Sequence, residues 1–125
     1  MVLGLGIDLI EIERVARALD RWGEKLVAKL MGAEESARLP PEKDGRVLAL
    51  ALAIAAKESA SKAIGTGWSR GVRWCDVVVD VGPPARVRLE ARAGETARAL
   101  GSSGRTRTTL EVRGGLVLGE VRLLS

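Results

Sequence analysis

From Val2 to Ile10 the chain alternates. Leu3, Leu5, Ile7 and Leu9 share one face, and Val2, Gly4, Gly6, Asp8 and Ile10 the other, which is the period of a β-strand. Glycine inside a strand weakens it and marks close approach of a ligand or a second backbone, so the face carrying Gly4, Gly6 and Asp8 draws notice. From Glu11 the period changes. Ile12, Val15, Leu19 and Trp22 recur at i, i+3, i+7 and i+10, predicting an amphipathic helix that ends near Gly23. Arg14, Arg17 and Arg21 form a basic stripe on its polar side. A solvated face explains such a stripe as readily as a docking surface does.

Two short helical pieces follow, Lys25 to Met31 and Glu34 to Leu39, the second stopped by Pro40-Pro41. The longest helix is predicted over Gly45 to Ile64, capped by Asp44 and closed at Gly65. Its first half is apolar all round and should lie buried at the centre; from Lys57 to Lys62 it turns polar, which predicts the edge of the core and the start of a site. Beyond Gly71 the pattern predicts strands over Trp74 to Val81, Ala85 to Ala91, Arg107 to Val112 and Leu116 to Leu124, with a short helix from Gly94 to Leu100. Turns fall at Gly82-Pro83-Pro84 and Arg113-Gly114-Gly115. The sum is an α+β fold, an antiparallel sheet packed against a long central helix and shorter helices, in a single domain over residues 1–125.

Composition narrows the chemistry. The chain has no His, Tyr or Phe, so Ser-His-Asp triads, Cys-His pairs and His-ligated metals are excluded. A bound metal would be a hard ion on carboxylate oxygens, with magnesium the leading candidate. Cys75 is alone, which rules out an intramolecular disulfide and predicts a reducing, cytoplasmic setting; it lies in an apolar run and reads as a small buried hydrophobe. The longest near-apolar run, Val47 to Ala56, has ten residues, fewer than the ~18–20 that span a bilayer, so no membrane association is expected. The net charge of +4 comes without an aromatic stacking platform, and no nucleic-acid partner is expected either.

Glu58 and Lys62 stand at i and i+4 and project from one helical face. They form either a surface ion pair or part of a site, and Asp8 is either a strand-end carboxylate in water or its counterpart. Asp8 and Glu58 together are the minimum for magnesium, which takes one or two carboxylates, keeps waters and fills its remaining positions with substrate phosphate oxygens. A metal, a lysine and no protein nucleophile suit the transfer of a phosphate-containing group by positioning and charge stabilisation.

Gly6-Ile7-Asp8-Leu9-Ile10-Glu11-Ile12-Glu13-Arg14 resembles the GxDxxxxxR motif of the holo-acyl-carrier-protein synthases, which are 4′-phosphopantetheinyl transferases. Ala55-Ala56-Lys57-Glu58-Ser59-Ala60-Ser61-Lys62-Ala63, followed by Gly65-Thr66-Gly67, resembles their AAKEAxxKAxGTG motif. The resemblance implies transfer of 4′-phosphopantetheine from coenzyme A to a serine of an apo acyl carrier protein, as used in fatty acid biosynthesis, with release of adenosine 3′,5′-bisphosphate. By the same carry-over Asp8 and Glu58 hold magnesium, Glu58 and Lys62 are catalytic, and Lys62, Gly65, Thr66 and Arg46 contact coenzyme A. Arg14, Arg17 and Arg21 meet the carrier. The family forms homotrimers with active sites between subunits, and Arg107 to Leu124 is the expected interface. Three positions depart from the family pattern: Val112 replaces a late-strand histidine, Ala53 an arginine, and Ile54 an aromatic. They define the alternative reading, a non-catalytic relative that binds coenzyme A or a carrier protein.

Overall fold

The structure, a computed structural model, describes Met1–Ser125. Strand β1 (Val2–Glu11) leads into helices α1 (Ile12–Trp22), α2 (Glu24–Leu30), α3 (Ala33–Ser36) and the long α4 (Lys43–Ala63). A 3-10 turn at Trp74–Asp76 precedes β2 (Val77–Asp80) and β3 (Arg86–Leu89), then α5 (Ala91–Ala99), β4 (Thr106–Arg113) and β5 (Leu116–Leu124). The expected α+β class holds, but the antiparallel strands form two sheets, β1-β5-β4 and the hairpin β2-β3. Between β3 and β4 the link is a side chain: Thr106 Oγ1 donates to Val87 O at 2.7 Å.

Helix α4 lies across the three-stranded sheet, and small residues let it lie close. A Cβ on Gly4 would fall 1.9 Å from Ala63 O, one on Gly6 1.7 Å from Ser59 O, and one on Gly119 2.9 Å from Ala55 O. The close approach inferred for the glycine face of β1 is therefore made by a second backbone. The strand's aliphatic face points away from α4: Leu5, Ile7 and Leu9 are 52%, 49% and 57% exposed, and Leu118, opposite Leu9, is exposed beside them. On the inner side Val117, Val121 and Leu123 join Leu50, Ala55 and Ala56 of α4 in the core.

Several boundaries move, each for a local reason. Helix α4 begins at Lys43 because Glu42, and not Asp44, caps it, its Oε1 accepting from Gly45 N at 2.6 Å. Residues 74–76 turn instead of extending because the Asp76 carboxylate accepts from Arg73 N at 3.0 Å and Lys57 claims the Trp74 carbonyl; Cys75 sits half-buried on that turn. The polar half of α4 is not the edge of the core: Lys57, Ser59 and Ser61 are buried. Trp22, expected on the apolar face of α1, is exposed under the Arg21 guanidinium, 5.0 Å from its ring centre. No helix is long and apolar enough to cross a membrane.

The helix-on-sheet contact is directly testable. Gly6→Ala should cost about 3 kcal/mol or more of unfolding free energy, because the new methyl meets backbone that cannot swing aside. Urea denaturation checks it, and a loss below about 1 kcal/mol would mean that α4 sits farther from β1 than a backbone-to-backbone contact requires.

Candidate active site

The site begins with the strand parity. Asp8 follows Gly4 and Gly6 on the α4 side of β1, and four-residue spacing along α4 puts Glu58 and Lys62 on one side of that helix. Lys62 Nζ donates to Asp8 Oδ1 at 2.9 Å and to the Ile7 carbonyl at 3.1 Å. The Glu58–Lys62 surface pair open from sequence is not formed; Lys62 pairs instead with Asp8, 54 residues away. An ammonium has three donors, so one remains for an anionic ligand. Glu58 is half-buried, and its Oε2 accepts from Trp68 Nε1 at 3.2 Å.

Asp8 Oδ2 and Glu58 Oε1 take no hydrogen bond from the protein. No group of three or more His, Cys, Asp or Glu gathers anywhere in the chain. Two half-buried carboxylates, each with a free oxygen, are a donor set that fits magnesium, an ion that keeps several waters; a cage built wholly of protein ligands would demand more.

Beneath Glu58 lies a polar network that the sequence reading missed. Lys57 is fully buried, and its Nζ donates to Glu35 Oε1 at 3.0 Å, Trp74 O at 2.9 Å and Val77 O at 2.5 Å. Glu35 in turn accepts from Gly32 N at 3.2 Å and Val79 N at 3.0 Å. Burial pushes the Lys57 pKa down, against the hydrogen bond and charge of Glu35 that hold it up. The Trp74 ring stacks on Trp68, centroids 4.0 Å apart. The only available signal was a lysine placed directly after the apolar run that ends in Ala55-Ala56; its partner, 22 residues earlier, had none.

The other expected residues are distributed. Gly65 and Thr66 follow α4 directly, and Gly67 N closes the turn on Ser61 O at 3.0 Å. Arg46 is not brought to this site within one chain: it pairs with Glu24 at 2.5 Å, sixteen residues before Lys62, about 24 Å along the helix at about 1.5 Å per residue. Arg14, Arg17 and Arg21 are exposed on α1; Arg17 pairs with Glu13 at 3.2 Å. Arg14 lines a cleft of about 290 Å³ with Leu9, Ile10, Val15 and Ile54, and Ile54 is one turn before Glu58 on α4. Ala53 is buried, and Val112 is exposed near the end of β4.

A sequence profile of the 4′-phosphopantetheinyl transferase superfamily matches residues 4–110. The holo-[acyl-carrier-protein] synthase of Acidithiobacillus ferrooxidans is 40% identical over 108 residues, 85% of this chain and 84% of that protein. That of Alkalilimnicola ehrlichii is 41% identical over 107 residues, 83% of each chain. Among solved structures, the holo-[acyl-carrier-protein] synthase of Neisseria meningitidis superposes with a TM-score of 0.84 over all of both chains at 24% identity, a likeness of fold. The Bacillus anthracis synthase, in complex with CoA (3′,5′-ADP), gives 0.75 at 25% identity over 98% of this chain and 96% of that one.

The buried pair yields a stability prediction. Glu35→Gln strips Lys57 of its counter-charge while keeping the volume, and should destabilise the fold by about 3–5 kcal/mol. Denaturant unfolding measures it; a change under about 1 kcal/mol would mean that the Lys57 ammonium is not buried against this carboxylate.

Proposed function

The chain belongs to the 4′-phosphopantetheinyl transferase superfamily, and on that premise we propose that it works as a holo-acyl-carrier-protein synthase. It transfers the 4′-phosphopantetheine arm of coenzyme A to a serine of an apo acyl carrier protein and releases adenosine 3′,5′-bisphosphate. The observation that carries the reading is the grouping of Lys62 with Asp8, with Glu58 one turn earlier on α4. That grouping favours catalysis over the binding-only alternative.

In the reaction the serine oxygen forms a bond to the phosphorus that bears pantetheine. The bond from that phosphorus to the bridging diphosphate oxygen breaks, and the nucleotide leaves with the electron pair. Magnesium held by Asp8 and Glu58 would supply positive charge against the diphosphate. Lys62, anchored by Asp8 and Ile7, offers its remaining proton to a phosphate oxygen, where fixed charge is most useful as the transition state forms. Glu58 accepts the serine proton, directly or through a water. Gly65 and Thr66, just beyond Lys62, border the coenzyme A site.

Arg14, Arg17 and Arg21 fit an acidic carrier, since guanidinium groups along a helix pair well with carboxylates on a facing one. The exposed Leu5, Ile7, Leu9, Leu116 and Leu118 support a homotrimer with sites at subunit contacts. They extend the interface proposed for β4 and β5 onto β1, because an apolar sheet face of this kind needs a cover. In such an assembly Arg46 would serve a neighbour's site.

Asp8→Ala and Glu58→Ala should each lower transfer from coenzyme A about a hundredfold or more with magnesium present while leaving the circular-dichroism spectrum unchanged; a folded variant at the parent rate would remove that residue from the site. Light scattering at micromolar concentration should give three times the chain mass, and a monomer mass would exclude a shared site. Arg17→Glu with Arg21→Glu should raise the KM for the carrier several-fold and leave that for coenzyme A unchanged. The effect should shrink with salt, which screens exposed charges beyond about 8 Å at physiological strength. An unchanged carrier KM at low salt would return these two arginines to ordinary surface.

A further inference from the structure

We propose that Trp68 is a positioning residue for Glu58, and that its indole N–H sets which carboxylate oxygen of Glu58 faces magnesium. This rests on the reading of Glu58 as a metal ligand. The indole donates to Oε2 at 3.2 Å, so that oxygen is engaged and Oε1 is left free. A carboxylate turns easily about its last bond, so a ligand without such a partner loses orientation when the metal binds.

The indole is itself held. Its ring lies on Trp74 with centroids 4.0 Å and planes 20° apart, and the Trp74 carbonyl accepts from the buried Lys57 ammonium at 2.9 Å. Lys57 precedes Glu58 on α4. The contacts therefore close a ring: Lys57 fixes the Trp74 backbone, Trp74 supports the Trp68 ring, and Trp68 holds the carboxylate of the residue after Lys57. Neither tryptophan belongs to the motif positions that carry Asp8, Glu58 and Lys62, and neither need touch substrate to act.

Phenylalanine keeps the stack and deletes the donor, so Trp68→Phe isolates the hydrogen bond. The first readout is independent of activity. In an indole-labelled ¹H–¹⁵N spectrum the chain gives three Nε1–H signals, from Trp22, Trp68 and Trp74, and Trp68→Phe identifies its own. Glu58→Gln should shift the Trp68 signal and leave that of Trp22 in place, and magnesium titrated into the wild type should move it saturably. The second readout is the magnesium concentration at half-maximal transfer, which should rise about tenfold in Trp68→Phe, at the low end of the ~10–100-fold seen for partners of metal ligands; excess magnesium should restore the rate. A Trp68 signal indifferent to Glu58→Gln, or a Trp68→Phe variant with wild-type magnesium dependence, overturns the proposal. So does a rate loss that magnesium does not relieve. Transfer by the wild type tests the underlying reading separately: an inactive chain whose Trp68 signal still answers to Glu58→Gln refutes the activity and supports the contact.

Discussion

The meeting of Asp8 with Lys62 follows from how near α4 comes to the sheet. Helices usually pack on other elements through side chains, at interaxial distances of about 8–10 Å for a helix pair. Here Gly4 and Gly6 on β1 and Gly119 on β5 present bare backbone to the Ala63, Ser59 and Ala55 carbonyls. With nothing between them, the next residue of the same parity on β1, Asp8, comes within 2.9 Å of a lysine on the helix. A larger residue at Gly6 would push strand and helix apart, and the ion pair that anchors Lys62 would stretch with them. The glycines are thus part of the geometry of the proposed site although none carries chemistry.

The second constraint is the buried pair of Lys57 and Glu35. Strand β2 pairs with β3 along one edge. Two groups of its backbone, Val77 O and Val79 N, are taken by the Lys57 ammonium and the Glu35 carboxylate, so side chains do what a further strand would otherwise do for an exposed edge. A buried ion pair is poor evidence of stability in itself, because desolvation offsets much of the attraction. Its value here is positional. Every Nζ donor is used and both Glu35 oxygens accept backbone N–H groups, which locks the 3-10 turn and its tryptophan against the helix residue that precedes Glu58.

Much of this was legible in the chain, and unevenly. The period change at Glu11, the long helix and the glycine face of β1 could be read because local spacing encodes them. Asp8, Glu58 and Lys62 could be named because residue types and a family resemblance single them out. What escaped depends on distant partners. Glu35 looks like a surface carboxylate in a four-residue helix until Lys57 is seen beneath it, and Trp68 looks like a loop aromatic until Glu58 accepts its proton. The aliphatic face of β1 shows a different limit: alternation predicts two faces but not which one meets the core, and here the glycines, not the leucines, face the long helix.

On the proposed reading, this helix-on-sheet contact would let Asp8 and Glu58 share one ion beside the coenzyme A diphosphate. Crystals grown with coenzyme A and manganese in place of magnesium would show the ion by its anomalous scattering. One peak is expected in coordination range of an oxygen from each carboxylate and of the diphosphate, with Lys62 Nζ near a phosphate oxygen. A peak bound to neither Asp8 nor Glu58, with coenzyme A seated elsewhere, would contradict it.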